Sequence, residues 1–135
     1  SEMHLYYREN VPCLKVVQSG FFDSVGLYRK CTEEQTASAL LLMKELGIEH
    51  LADKPFLRVS AGEQRMLLFA RAIVKNPQLL ILDEPFHGMD VANKKRCLKM
   101  ISTFAAQPDK SLIFVTHYKE EIPDSVNHIF ELVAH

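Results

Sequence analysis

Lysine follows none of the five glycines in this 135-residue sequence: Gly20, Gly26, Gly47, Gly62 and Gly88 precede Phe21, Leu27, Ile48, Glu63 and Met89. That excludes a GxxxxGK(S/T) segment, so the loop that wraps the β-phosphate of a nucleotide is missing rather than disguised. Cysteine is equally sparse. Cys13, Cys31 and Cys97 are odd in number, far apart and without a CxxC pair, which argues against a disulfide framework or a zinc site and favours a reducing cytosol. His4, His50, His87, His128 and His135 show no metal-ligand spacing. No apolar stretch approaches the ~18 residues of a membrane span. The start, Ser1-Glu2-Met3-His4, lacks the basic and apolar regions of a signal peptide. These absences predict a cytoplasmic chain without direct membrane insertion, one that meets a membrane at its inner face through a partner protein. Charge of one sign is lacking too, with 16 basic against 17 acidic residues. The single basic cluster, Lys94-Lys95-Arg96, reads as a solvated helix face, so nucleic acid is not indicated.

What is present is a chain with 47% hydrophobic residues, enough for one domain that buries roughly two thirds of its unfolded surface. The front reads as helical, beginning where Asn10 caps a segment whose second residue is Pro12, with Leu14, Val17 and Phe21 at helical spacing. An irregular connection is expected over residues 20–28. Thr32 with Gln35 forms a capping box, followed by an apolar face at Ala37, Leu40, Leu41 and Met43 and a stop at Gly47. Over residues 62–75 the positions Met66, Leu67, Phe69, Ala70, Ile73 and Val74 keep a helical period, which Asn76-Pro77 ends.

Residues 79–83 form an apolar run closing on a carboxylate, the pattern of a buried parallel strand that opens on a site at its C-terminal end. A helix over residues 91–105, with Leu98, Ile101 and Ala105 inward, connects it to a second buried strand at residues 112–115. Strand, helix, strand implies a right-handed crossover in a parallel sheet. A last strand is expected near residues 128–133. The chain thus divides into a helical front, residues 1–58, and an α/β rear, residues 59–135.

The crossover places Asp83, Glu84 and His117 at one sheet edge. In a nucleotide hydrolase the first carboxylate holds Mg²⁺ through water, and the second orients or deprotonates the attacking water. His117 suits a hydrogen bond to a γ-phosphate oxygen from one ring nitrogen while a carboxylate orients the other. Ser60-Ala61-Gly62 opens a helix, so the Ser60 hydroxyl and the first-turn N–H groups form an anion site aided by the helix dipole. Plainer roles satisfy the same residues. Ser60 with Glu63 is a capping box, Asp90 after Gly88 and Met89 is an N-cap, and a lone histidine is often only a structural hydrogen-bonder.

In this order the segments Val59-Ser60-Ala61-Gly62-Glu63-Gln64-Arg65, Leu79-Leu80-Ile81-Leu82-Asp83-Glu84-Pro85, Gly88-Met89-Asp90 and Thr116-His117 resemble the rear of the nucleotide-binding domain of ABC ATPases. The resemblance implies a partial P-loop NTPase fold of the α/β class, with a helical subdomain followed by a parallel-sheet half-core. It makes Ser60, Ala61, Gly62, Glu63 and Gln64 a signature motif that binds a partner's ATP. Asp83 becomes the Mg²⁺ carboxylate, Glu84 the catalytic glutamate, Gly88 and Asp90 the D-loop, and His117 the switch histidine. Ala61 and Glu63 depart from the commonest signature, which has glycine and glutamine there. Walker A, the adenine-stacking aromatic and the Q-loop are expected to lie before Ser1. More narrowly, residues 19–28 and 116–123 look like the molybdenum-transport ATP-binding proteins of the ModF type.

The resemblance implies ATP and Mg²⁺ as cofactors, a second ABC ATPase domain in the same polypeptide or a homodimer, and a membrane permease subunit as partner. On this reading the chain is a C-terminal ATPase fragment that does not hydrolyse ATP alone. Two other readings are a soluble ABC ATPase of DNA repair or translation, and an interaction module without catalysis. Repair and chromosome members usually carry long heptad helices or CxxC insertions, and neither is present here.

Overall fold

The computed structural model describes residues 10–22 and 30–128. Among these residues four α-helices, α1 (Cys13–Gln18), α2 (Glu33–Glu45), α3 (Ala61–Ile73) and α4 (Val91–Ala105), accompany two strands, β1 (Leu79–Asp83) and β2 (Ser111–Val115). Short 3₁₀ turns occupy Ser19–Phe21, Glu49–Leu51, Phe56–Arg58 and Lys119–Glu121.

α3 is the central element, touching α1, α2, β1 and α4. Its Met66, Leu67, Phe69 and Ala70 are all buried, and each of the three larger side chains contributes about 1.5–3 kcal/mol by leaving water. Cys13, Val16 and Val17 of α1 pack on one side of this core, and Cys97, Ile101 and Phe104 of α4 belong to the same cluster. The turn after α1 lies hard against α3, because a β-carbon on Gly20 would collide with the Arg71 carbonyl and with Val74. Arg71 reinforces that contact by donating from Nε to Ser19 Oγ at 2.9 Å, while the Ser19 hydroxyl donates to the Val16 carbonyl at 2.6 Å. Ser19, the one buried polar side chain among the described residues, is thereby satisfied.

β1 and β2 pair in parallel, in the register Leu79 with Ser111 through Asp83 with Val115, and α4 makes the crossover. This is the strand, helix, strand unit expected from the hydrophobic runs.

Four expectations need correction. Asn10 does not cap α1: its φ is +57°, and Pro12 occupies the N-cap without a side-chain bond. The first N–H groups find partners elsewhere in the fold, Cys13 donating to the Lys54 carbonyl and Leu14 to the Ala52 carbonyl, each at 2.9 Å. The buried face of α2 is Ala39 and Met43 rather than Ala37 and Leu41, which are exposed. It continues into Leu46. In α4 the fully buried positions are Cys97, Ile101 and Phe104, with Leu98 and Ala105 only half-buried. Both strands, finally, are covered on one face: Leu80 and Leu82 are buried, while Leu79, Ile81, Ile113 and Val115 are exposed. The expected last strand at 128–133 and most of the connection at 20–28 lie outside the described residues.

Candidate functional site

Where β1 ends, the backbone turns sharply. Glu84 adopts φ +46°, left-handed and uncommon for a residue with a β-carbon, yet its N–H still donates to the Val115 carbonyl at 2.8 Å. The ladder therefore runs one residue beyond the strand before the chain departs. Strain of this kind persists where the surroundings over-determine the conformation. Here Pro85 and Phe86 are buried directly after it, and Phe86 meets Phe114 of β2 with ring centroids 5.4 Å apart.

The turn leaves the Glu84 carboxylate half-buried over the end of β2. Its Oε1 accepts from the His117 main-chain N–H at 2.8 Å and lies 3.6 Å from His117 Nε2. The longer separation is too great for a hydrogen bond, so the carboxylate holds the histidine's backbone rather than orienting its ring. The His117 side chain is 88% exposed, which leaves the ring accessible to an incoming group. Thr116 steadies the bend by accepting from the Tyr118 N–H at 3.0 Å. Asp83, in register with Val115, is exposed at the same edge. The sheet thus brings Asp83, Glu84 and His117 together, as the crossover requires.

Ser60, Ala61, Gly62, Gly88 and Asp90 gather at the starts of α3 and α4. Both halves of the Ser60 capping box are formed: Ser60 Oγ accepts from the Glu63 N–H at 3.1 Å, and the Ser60 N–H donates to Glu63 Oε1 at 2.9 Å. Glu63 is therefore occupied in capping, and Gln64 donates from its amide to the Phe56 carbonyl at 2.9 Å. That leaves the exposed Ser60 hydroxyl proton and the N–H groups of Ala61 and Gly62 at the start of α3. Asp90 caps α4, accepting from the Asn93 N–H at 2.8 Å.

One contact joins these two helix starts. A β-carbon on Gly62 would stand 2.7 Å from the Gly88 carbonyl oxygen, so only glycine lets the two backbones approach this closely. Gly88 itself has φ +80°. Behind the contact, Cys97 Sγ lies 3.5 Å from Met66 Sδ and 3.9 Å from Met89 Sδ, tying α3, the 88–90 turn and α4 together through sulfur. Burial pushes the Cys97 thiol up to about 12 and the Cys13 thiol up to about 11, so neither is a nucleophile at neutral pH. Phe86 was not singled out from the sequence. The one signal for it, and for the packing role of Met89, was an apolar residue inside an otherwise polar turn.

Among the described residues no group of three His, Cys, Asp or Glu side chains converges to hold a metal ion by itself. Two adjacent carboxylates at an exposed strand end instead suit a hard cation shared with a bound phosphate, bound through water. No helix among them is long and apolar enough to cross a membrane.

A parallel strand pair thus ends in two carboxylates and a histidine, and the turn at Gly88 that follows packs against the start of α3. The sequence pattern of the ABC transporter family matches residues 2–87, and the chain belongs to that family. It is 37% identical over 134 residues to the ABC transporter ATP-binding protein ModF of Escherichia coli, covering 98% of this chain and 27% of that one. It is also 35% identical over 92 residues to the molybdenum import ATP-binding protein ModC of Haemophilus ducreyi, covering 68% and 26%. Across the relatives it matches, the chain spans about a quarter to a half of their length.

Among solved structures, a putative metal-chelate type ABC transporter in an inward-facing conformation shares 27% identity at a TM-score of 0.66, covering 83% of this chain and 45% of that one. A dimeric ATP-binding cassette in a post-hydrolysis state, bound to ADP and Pi, superposes at a TM-score of 0.68 over 84% of this chain and 50% of that one. At 23% identity the latter shows shared fold alone. The fold is that of an ABC-type P-loop NTPase cassette, represented here by its helical part and a two-stranded portion of its parallel sheet.

Proposed function

We propose that this chain supplies the rear half of an ABC ATPase site, in a longer protein that couples ATP binding and hydrolysis to import of a molybdenum-containing or other metal-related solute. The observation that carries this reading is the fixing of Glu84. Its carboxylate sits at the strand end beside Asp83, aimed by its own left-handed backbone and by the His117 N–H at 2.8 Å. A general base needs that kind of restraint, since proton transfer depends on a fixed reach to the attacking water.

On this reading Asp83 would hold Mg²⁺, which would supply charge neutralisation at the transferring phosphate. Glu84 orients the water, and His117 donates to a phosphate oxygen from its exposed ring. Ser60, Gly62 and the N–H groups at the start of α3 face ATP bound by a second cassette, with Ala61, Glu63 and Gln64 supporting that surface. Gly88 and Asp90 set the position of the turn between the two services. The partners are a second ABC domain and a membrane permease, which places the protein at the cytoplasmic face of the membrane. The resemblance to ModF and ModC carries the molybdenum assignment.

Titration of the chain with Mg-ATP, in parallel with hydrolysis by the longer protein, tests the division. The chain alone is expected to bind too weakly to measure, and the longer protein to turn ATP over. A micromolar dissociation constant for the chain, or a longer protein inert toward ATP, overturns the reading.

A further inference from the structure

At the far end of α3 and α4 from Ser60 and Asp90, the C-terminal half of α2 leans over a cavity of about 730 Å³. Its apolar wall is formed by Leu42, Ile73, Val74, Met100 and Phe104. Leu41, 58% exposed, stands at the mouth. That exposed leucine is the residue whose helical spacing predicted burial. Apolar side chains lining a hollow of this size are the usual makings of a small-molecule site, which typically measures about 300–1,000 Å³.

The polar groups are arranged unequally along the hollow. At one end Asn76 and Gln107 satisfy each other, Asn76 Nδ2 donating to Gln107 Oε1 at 3.1 Å and Gln107 Nε2 to Asn76 Oδ1 at 3.3 Å. That end has no unmet demand. At the other, Arg96 and Lys99 stand one turn apart on α4. Arg96 is held in place, its Nη1 donating to Asn93 Oδ1 at 2.8 Å while its guanidinium lies across the backbone of Gly47, 3.2–3.4 Å from where a β-carbon would be. Among the described residues Glu45 is the only acidic one on the lining, so cations outnumber anions two to one there. Arg96 and Phe104 are eight apart on α4, about 12 Å along the helix axis.

We infer that this cavity binds an amphipathic carboxylate of medium chain length, its head at Arg96 and Lys99 and its apolar tail running along Ile73, Val74 and Phe104 toward the Asn76–Gln107 pair. Charge complementarity selects an anionic head. The volume of about 730 Å³ and the self-satisfied far end select a single apolar tail over a peptide helix, which is about 10–12 Å across. The cavity shares no residue with the nucleotide-handling edge, so its ligand is independent of that reading.

Calorimetric titration of the chain with dodecanoate, below its micelle concentration, tests the assignment. Saturable one-to-one binding is expected. The double variant Arg96→Gln/Lys99→Gln should weaken it at least tenfold, as should replacing dodecanoate by dodecanol, because a charge-assisted contact is lost. Both substituted positions are exposed, and so is Leu41→Asp, which sets a like charge at the mouth and should also weaken binding at least tenfold. No saturable heat overturns the proposal. So does equal binding of dodecanol with indifference to the variants, which marks adsorption to apolar surface. Concentration-dependent dimerisation abolished by Leu41→Asp, without dodecanoate binding, assigns the face to a second copy and also overturns it.

Discussion

Replacing Gly62 by alanine tests whether the starts of α3 and α4 form one rigid unit. The new β-carbon would lie 2.7 Å from the Gly88 carbonyl oxygen, against the 3.4 Å at which ordinary contact begins, so something must move by about 0.7 Å. The obstacle is main chain, not the end of a flexible side chain. It is also anchored on both sides, by buried Phe86 against Phe114 and by buried Met89 against Cys97. Overpacking of this kind costs about 1–3 kcal/mol. Alanine recovers less than the ~1 kcal/mol of helix propensity available in a helix interior, because Gly62 is only the second residue of α3. A net loss of about 1–2 kcal/mol is therefore expected, a factor of roughly 5–30 in the folding equilibrium. Urea unfolding at 25 °C reads it as a lower midpoint with an unchanged slope. A variant as stable as the parent, or more so, would show that the 88–90 turn yields freely and that the two motifs are not held in fixed register.

Two further outcomes follow from the same interactions. Thr32→Ala removes the side chain that accepts from the Gln35 N–H, so α2 should lose about 1 kcal/mol in the same urea assay, while Thr32→Ser retains most of it. Burial raises the Cys97 thiol from 9.0 to about 12, so its ionisation opposes the fold. The unfolded chain releases that proton first, and the stabilisation present below pH 9 should be lost as pH rises toward 12. Urea midpoints at pH 7 and pH 10 check the sign, which must be a decrease.

Local chemistry was legible in the sequence wherever a residue's partner lies within a turn of it. The capping boxes of Thr32 with Gln35 and Ser60 with Glu63 both form, and Asp90 caps α4 as its position after Gly88 implied. β1 spans the residues its apolar run marked out, because a carboxylate following four apolar residues is a sharp boundary. The parallel pairing of the two strands also followed from their apolar runs, and what failed was decided by distant chain. Asn10 had the right chemistry for a cap, yet the carbonyls of Ala52 and Lys54 reached the α1 N–H groups instead. A five-residue apolar run does not say whether one face or both are covered, and the exposed Ile81 and Ile113 show one. The α2 face rotated because Met43 and Leu46 found the core while Leu41 was left over the hollow beside α4. At the site, the residue types at Asp83, Glu84 and His117 were readable from spacing. The main-chain bond from His117 to Glu84 was not, since it depends on the left-handed turn at Glu84.

ATP turnover by the longer protein carrying Glu84→Gln is the most direct test of the central claim. The amide keeps the shape and removes the base, so kcat is expected to fall by at least 100-fold while ATP is still bound. An unchanged kcat would contradict the role assigned to Glu84, and with it the account of this chain as the hydrolytic half of the site.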